Sequence, residues 1–279
     1  MKLIAEARQI IKPISVTDGA GVKIKRSIGL NPDYFDPFLM LDEFGSENKD
    51  DYIAGFPPHP HRGIETVTYM LAGDFEHKDS LGSTGRMGAG DVQWMKTGSG
   101  IIHSEMPLMR EGKLHGFQLW INMPSYLKMA EPEYLHLDSK EINQYADPEK
   151  SVKVIAGRFE DINGAISNHN VEPVYFNVSL TKSNNFFFLL SPEKNSFVYL
   201  YEGEIKVGHK DNGRLTGSTL ITLSKGETLQ VEAVGNAKFL LISGRPINEE
   251  IARGGPFVMN TREEVLEAIE DYRNGTFIK

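Results

Sequence analysis

The 279-residue sequence predicts an all-β protein made of two similar barrels and finished by one C-terminal helix. Three observations predict it. Short patterns with apolar residues at every second position recur along the chain. Glycine-centred turns return at a nearly constant offset. A full set of helix signals occurs only near the end.

The strand signals run through "VKIKRS" (22–27), "ETVTYML" (65–71), "DVQWMK" (91–96), "GFQLWIN" (116–122) and "FVYLYEG" (197–203). Alternate side chains of an extended chain point to opposite faces, so this period marks strands with one buried face. Clusters of Gly, Asn, Asp and Pro separate them, as in sandwiches and barrels. A short helix is expected near "SYLKMA" (125–130). The clear helix lies in "NTREEVLEAIEDYRNG" (260–275). There Thr261 and Glu264 form a capping box, Val265, Leu266 and Ile269 form an apolar stripe, and Gly275 provides a stop.

An internal repeat organises the strands. "YMLAGDFEH" (69–77) matches "YLYEGEIKV" (199–207), pairing Gly73 with Gly203 at a shift of 130. "GAGDVQWM" (88–95) matches "SKGETLQV" (224–231), pairing Gly90 with Gly226 at a shift of 136. The similar offsets predict a duplicated β-domain with a six-residue insertion in the second copy. The boundary falls at the polar stretch "LDSKEINQYADPEK" (137–150), giving domains 1–136 and 137–279.

Composition narrows the function. With 40% hydrophobic and 24% charged residues the chain reads as globular. It has no cysteine, which excludes disulfides and thiolate chemistry. A net charge of −8 opposes direct nucleic-acid binding. The start, "MKLIAEARQI", is too short in apolar residues for a signal-peptide core, and the run "FFFLL" (186–190) is far too short to span a bilayer. A cytoplasmic protein without membrane association is expected.

Two of the 8 histidines sit together in "FPPHPHRGIETVTYMLAG" (56–73). His59 and His61 are at i and i+2, so a strand points both to one face. In "TGSGIIHSEMP" (97–107), His103 and Glu105 repeat that spacing after a glycine-rich turn. One such pair alone reads as a surface turn or a hydrogen-bonded core feature. Two pairs bracketing a hairpin pattern point to a metal. Three imidazoles and a carboxylate suit a first-row divalent ion: Fe(II), Mn(II), Ni(II), Cu(II) or Zn(II).

Neighbouring residues allow other readings. Glu65 follows His61 by four, so strand parity also lets it point inward. His77 and His115 are expected to support the site or the fold rather than to act as ligands. Arg62, of opposite parity to His61, is expected in solvent or at an interface. Trp94, Trp120, Phe56 and Met95 are core residues or the walls of an aromatic pocket. "GAG" (88–90) is a barrel turn and not a phosphate loop, because no Lys-Ser/Thr follows it.

"HPHRGIETVTYMLAG" followed by "GDVQWMKTGSGIIHSEMP" resembles the two metal-binding motifs of the cupin superfamily, in the form found in the pirin family. The resemblance continues through "GFQLWINMP" (116–124) to "GPFVMNTREEV" (255–265) and covers most of the chain. It implies a bicupin of two double-stranded β-helix (jelly-roll) barrels, with one metal in the N-terminal barrel. The implied ligands are His59, His61, His103 and Glu105, with Fe(II) expected first and Cu, Ni, Mn or Zn as alternatives. Many cupins use a glutamate near the position of Glu65, but the pirin pattern favours Glu105. Shifting the ligand positions by the repeat offsets lands on Leu189, Ser191, Phe239 and Leu241. Three of these are apolar, so a degenerate C-terminal barrel filled by side chains is expected.

Two functions follow from the resemblance. One is a metal-dependent dioxygenase like quercetin 2,3-dioxygenase, which opens the central ring of a flavonol-like small molecule with dioxygen and uses Glu105 as catalytic base. The other is a non-enzymatic, metal- or redox-dependent regulator that binds a transcription factor or a metabolic enzyme. An open cavity at the metal favours the enzyme.

Overall fold

The computed structural model describes residues 3–29, 35–109, 111–167, 169–210 and 213–279. Strands dominate them, and the α-helix among the described residues is Arg262–Asn274. The Thr261 side chain accepts from the Glu264 amide, the Glu264 carboxylate reaches back to the cap, and Gly275 ends the helix at φ 73°. Val265 and Ala268 form its buried stripe, with Ile269 packed beside them, whereas Leu266 faces solvent. The short helix expected at 125–130 is a 3-10 turn, Ser125–Leu127.

The chain divides into two compact units: Ile14–Ser139 with Ile247–Lys279, and Met1–Pro13 with Lys140–Pro246. The contiguous domains expected from the sequence therefore differ from these units at both termini. Long-range pairing is the cause. Strand Ala7–Ile11 pairs with Thr219–Leu223, bringing Ile10 opposite Ile221. In the other unit, the Asp36 carboxylate accepts from the Ile247 and Asn248 amides at 3.1 and 2.7 Å.

The first unit has a seven-stranded sheet in the order Glu133–Leu137, Val92–Lys96, Ile64–Ala72, Leu114–Asn122, Phe38–Ser46, Val22–Ile28, Ile14–Asp18. Its second sheet runs Phe56–His61, Ile101–Pro107, Phe75–Asp79, Thr84–Met87. Phe44, Met70 and Leu114 of the large sheet pack against Phe75 and Met87 of the small one, so the core lies between the sheets.

The other unit repeats this plan. Its large sheet runs Gln144–Ala146, Lys150–Ala156, Val174–Leu180, Ala237–Gly244, Asn195–Glu202, Thr219–Leu223, Ala7–Ile11. Its small sheet joins Asn185–Leu189, Thr228–Ala233, Glu204–Val207 and Leu215–Thr216, with the short strand Ile4–Ala5 added parallel to Thr228–Ala233. The fold is the all-β bicupin that the sequence predicts. The interior of this unit is an apolar cluster that includes Phe159, Phe176, Phe186, Leu229, Val231 and Phe239.

Half of the repeat alignment is out of register. Gly73 and Gly203 occupy equivalent hairpins, both at φ 85°. Gly90, however, leads into Val92–Lys96 of a large sheet, while Gly226 leads into Thr228–Ala233 of a small one. Phe239 and Leu241 are buried, but on the counterpart of Leu114–Asn122 rather than of the His103 strand. The counterpart of the His103 strand buries Leu229, Val231 and Ala233 instead. Leu189, expected in the core, is 61% exposed, because the alternation of its strand turns Phe186 inward and Phe187 and Leu189 outward.

Phe239 meets Phe186 edge-on at 5.6 Å and is fully buried. Phe239→Ala should therefore lower unfolding stability by roughly 3–5 kcal/mol. Leu189→Ala should change it by less than about 0.5 kcal/mol. Urea denaturation of the two variants checks the pair, and similar losses in both would contradict the register.

Candidate metal centre

Two neighbouring strands of the small sheet carry the histidines. Phe56–His61 pairs antiparallel with Ile101–Pro107, with His59 opposite His103 and Ile101 opposite His61. Cross-strand partners share a face, so the three imidazoles converge. Each offers a nitrogen within 4.8 Å of the others. The ring centroids are 4.8 Å apart for His59 and His61, 4.3 Å for His59 and His103, and 5.1 Å for His61 and His103. His61 and His103 are buried and His59 is partly exposed.

Glycines shape the approach to these strands. Gly63, at φ 79°, lets the chain turn from the His61 strand into Ile64–Ala72. A Cβ there would lie 2.1 Å from the Val258 carbonyl oxygen. Gly100, at φ 145°, precedes the His103 strand and packs directly against Phe277.

The donor set fits a cation. A carbonyl oxygen only accepts, so the Pro57 carbonyl 2.8 Å from His59 Nδ1 places the proton there and leaves the Nε2 lone pair free. The Pro256 carbonyl, 3.4 Å from His61 Nδ1, favours the same tautomer. Both nitrogens of His103 are buried and find no hydrogen-bond partner among the described residues. Burying unpartnered polar atoms is costly, and a metal on one of them offsets part of that cost. Burial, reinforced by His59, pulls the His61 pKa down to about 3. Burial also lowers His103, with His61, His59 and His77 adding to it. Both rings are therefore neutral near pH 7, the state in which an imidazole binds a metal.

Glu105 is buried on the His103 strand, beyond a register shift that sets it opposite Phe56. Its Oε1 accepts from Thr68 Oγ1 at 3.1 Å and its Oε2 from Gln118 Nε2 at 3.0 Å. The three-nitrogen cluster does not include it. Glu65 lies elsewhere. The turn at Gly63 resets the parity counted from His61, so Glu65 falls on the face of its strand opposite Thr68 and accepts from Trp94 Nε1 at 2.6 Å.

His77 is fully buried beside His103, ring centroids 5.5 Å apart. Its Nε2 meets the Asp79 carboxylate at 2.9 Å, Gln93 Nε2 approaches its Nδ1 at 2.8 Å, and Tyr134 stacks on it at 4.5 Å. With both nitrogens occupied, His77 supports His103. His115 pairs with Glu43 at 3.0 Å. Arg62, expected in solvent or at an interface, is 1% exposed. It donates to the Ser99 carbonyl at 2.6 Å, pairs with Asp271 at 2.8 Å and covers the Phe277 ring, which fastens the C-terminal helix beside His61.

His59 and His61 open onto a cavity of about 470 Å³. Met40, Phe44, Phe56, Gln118, Trp120 and Arg253 are among its walls. Phe56 and Trp120 thus take the pocket role open to them, while Met95 is buried and Trp94 holds Glu65. Thr68, Gln118 and Arg253 carried no sequence signal, since polar residues at these strand positions look like solvent-facing ones.

Comparison with known proteins finds relatives along most of the chain. Residues 21–121 match the family described as Pirin, and residues 175–278 match the Pirin C-terminal cupin domain. A pirin-like protein of Caulobacter vibrioides is 44% identical over 96% of this chain and 98% of its own length. Human pirin is 39% identical over 92% of this chain and 89% of its own. The crystal structure of quercetin 2,3-dioxygenase from Acinetobacter baumannii superposes with a TM-score of 0.89 at 32% identity, covering 98% of both chains.

The buried neutral His61 has a consequence for pH in metal-free protein. Unfolded, it takes a proton near pH 6.5; folded, only near pH 3. Its folded pKa is depressed, so its contribution to stability is intact above pH 6.5 and is lost as pH falls, by about 1.4 kcal/mol per pH unit. The urea midpoint of metal-free protein should drop between pH 7 and 5, and less steeply in His61→Gln. A flat midpoint would contradict a buried neutral ring.

Proposed function

The chain belongs to the pirin family of cupin proteins, and from that membership we propose a metal-dependent dioxygenase of the quercetin 2,3-dioxygenase type, opening the central ring of a flavonol-like enol with dioxygen. The observation that carries the proposal is the convergence of three imidazoles at a cavity of about 470 Å³. Sites for small molecules run from roughly 300 to 1,000 Å³. Support comes also from the quercetin 2,3-dioxygenase of Acinetobacter baumannii at 32% identity. In this reading His59, His61, His103 and Glu105 hold one metal per chain, Fe(II) first among Fe, Cu, Ni, Mn and Zn.

A bound divalent ion would supply Lewis-acid stabilisation of the enolate and redox chemistry with dioxygen. The protein supplies the rest. His61 and His103, kept neutral by burial, present lone pairs without a competing proton. Glu105 takes the proton of the substrate's 3-hydroxyl. Thr68 and Gln118 each occupy one of its oxygens, and a carboxylate oxygen has a second lone pair for that proton. Phe56 and Trp120 offer flat walls to aromatic rings, Met40 adds an apolar one, and together they keep bulk water from the enolate.

The regulator reading invokes a protein partner whose binding follows the metal's charge. It does not require a cavity at the histidines, and the cavity favours the enzyme.

Metal analysis with oxygen-uptake assays tests the proposal. Purified protein should take up one metal per chain, and a His61→Ala, His103→Ala double variant should lose it. Quercetin should stimulate oxygen consumption by the iron-, copper-, nickel- or manganese-loaded protein above that of the free metal. Glu105→Gln should cut turnover about 100-fold or more while lowering metal content less. Full occupancy in the double variant would refute the ligand set, and no uptake with any of these metals would favour the regulator.

A further inference from the structure

Arg253 is an unusual wall for a cavity that ends in a metal site. Its guanidinium carbon lies 5.0 Å over the Trp120 ring. The same ring meets His61 edge-on at 5.1 Å. Trp120 therefore spaces Arg253 one indole from the histidine cluster, and all three line one cavity.

The donors of Arg253 are poorly used. Nε and Nη1 each reach a backbone carbonyl, of Gly255 and Gly29, at a long 3.4 Å. Among the described residues no carboxylate lies within ion-pair distance of it. The two carboxylates on this wall, Asp18 and Asp42, are both engaged by Arg26, whose Nη2 is 2.7 Å from each. Arg26 also grips Asp42 through Nε at 2.9 Å. Burial and then the nearby Arg26 cation work against the charge on Arg253, and Asp42 and Asp18 offset them only in part, leaving its pKa lowered. An anion entering the cavity would relieve that position and find a planar fork suited to a carboxylate.

We propose that Arg253 determines substrate specificity by holding a carboxylate of the substrate one ring width from the enol at the histidine cluster. This rests on the dioxygenase reading and narrows its substrate class to enols bearing an acid on the ring edge away from the metal. Trp120 packs against the connecting ring, and Arg253 binds the acid.

Two probes of one shape test it by calorimetry: 5-hydroxy-4-pyranone-2-carboxylate and 5-hydroxy-2-methyl-4-pyranone. They share the chelating hydroxy-ketone and differ only in the group across the ring. Nickel-loaded protein should bind the carboxylate roughly tenfold or more tightly than the methyl compound. Arg253→Gln should erase that preference by weakening the carboxylate far more than the methyl compound, while Arg253→Lys should keep part of it. Equal affinities in the unaltered protein, or a preference that survives Arg253→Gln, would overturn the proposal. The same titrations on metal-free protein separate the two readings. If nickel strengthens neither probe, the metal-site reading fails, while an effect of Arg253→Gln on the carboxylate still supports the role of Arg253.

Discussion

The candidate centre depends on one antiparallel pairing, that of Phe56–His61 with Ile101–Pro107. It sets His59 directly opposite His103 and brings His61 to the same cluster. A slip of one residue in either strand would turn its histidines to the other face. The irregularity between His103 and Glu105 falls in the Phe56–His61 strand, so the His103 strand keeps its alternation and Glu105 stays on the His103 face, with its carboxylate between Thr68 and Gln118 of the facing sheet.

Burial gives that pairing its chemical meaning. His61 and His103 are held neutral, and among the described residues neither nitrogen of His103 has a hydrogen-bond partner. Two buried cations fix the frame around them. Arg62 joins the turn before the His103 strand to the C-terminal helix through Ser99 and Asp271. Lys128 donates all three ammonium hydrogens, to the Gly63 carbonyl, the Val258 carbonyl and Asn122 Oδ1 at 2.9, 2.9 and 2.7 Å. Burial draws its pKa down to about 8, and those three acceptors compensate the charge. The turn after His61 is thereby tied to the strand Phe257–Met259, which places residues 247–279 in the same unit as the histidines.

Much of this was legible in the sequence because it is local. Period-two patterning, the capping box at Thr261 and the i, i+2 histidine spacing each depend on a few consecutive residues, and each appears as read. What was hidden depends on distant partners. No local signal says that Ala7–Ile11 pairs with Thr219–Leu223, or that Arg62, beside a metal-binding pattern, is buried against Asp271. The turn at Gly63 breaks the parity that made Glu65 a rival to Glu105. The second glycine match joined strands from different sheets, because a glycine before an acidic residue marks a turn without saying which sheet follows. The cavity residue Arg253 lies some two hundred residues from His59 in the chain and gains its meaning only from the fold.

X-ray absorption spectroscopy of the iron-loaded protein tests the central claim most directly. The account predicts a first shell of nitrogen and oxygen near 2.1 Å, about the length of a metal–imidazole bond. Outer-shell scattering should require three imidazoles and fall to two in His103→Ala. A spectrum fitted by oxygen ligands with one imidazole or none, or one unchanged in His103→Ala, would contradict it.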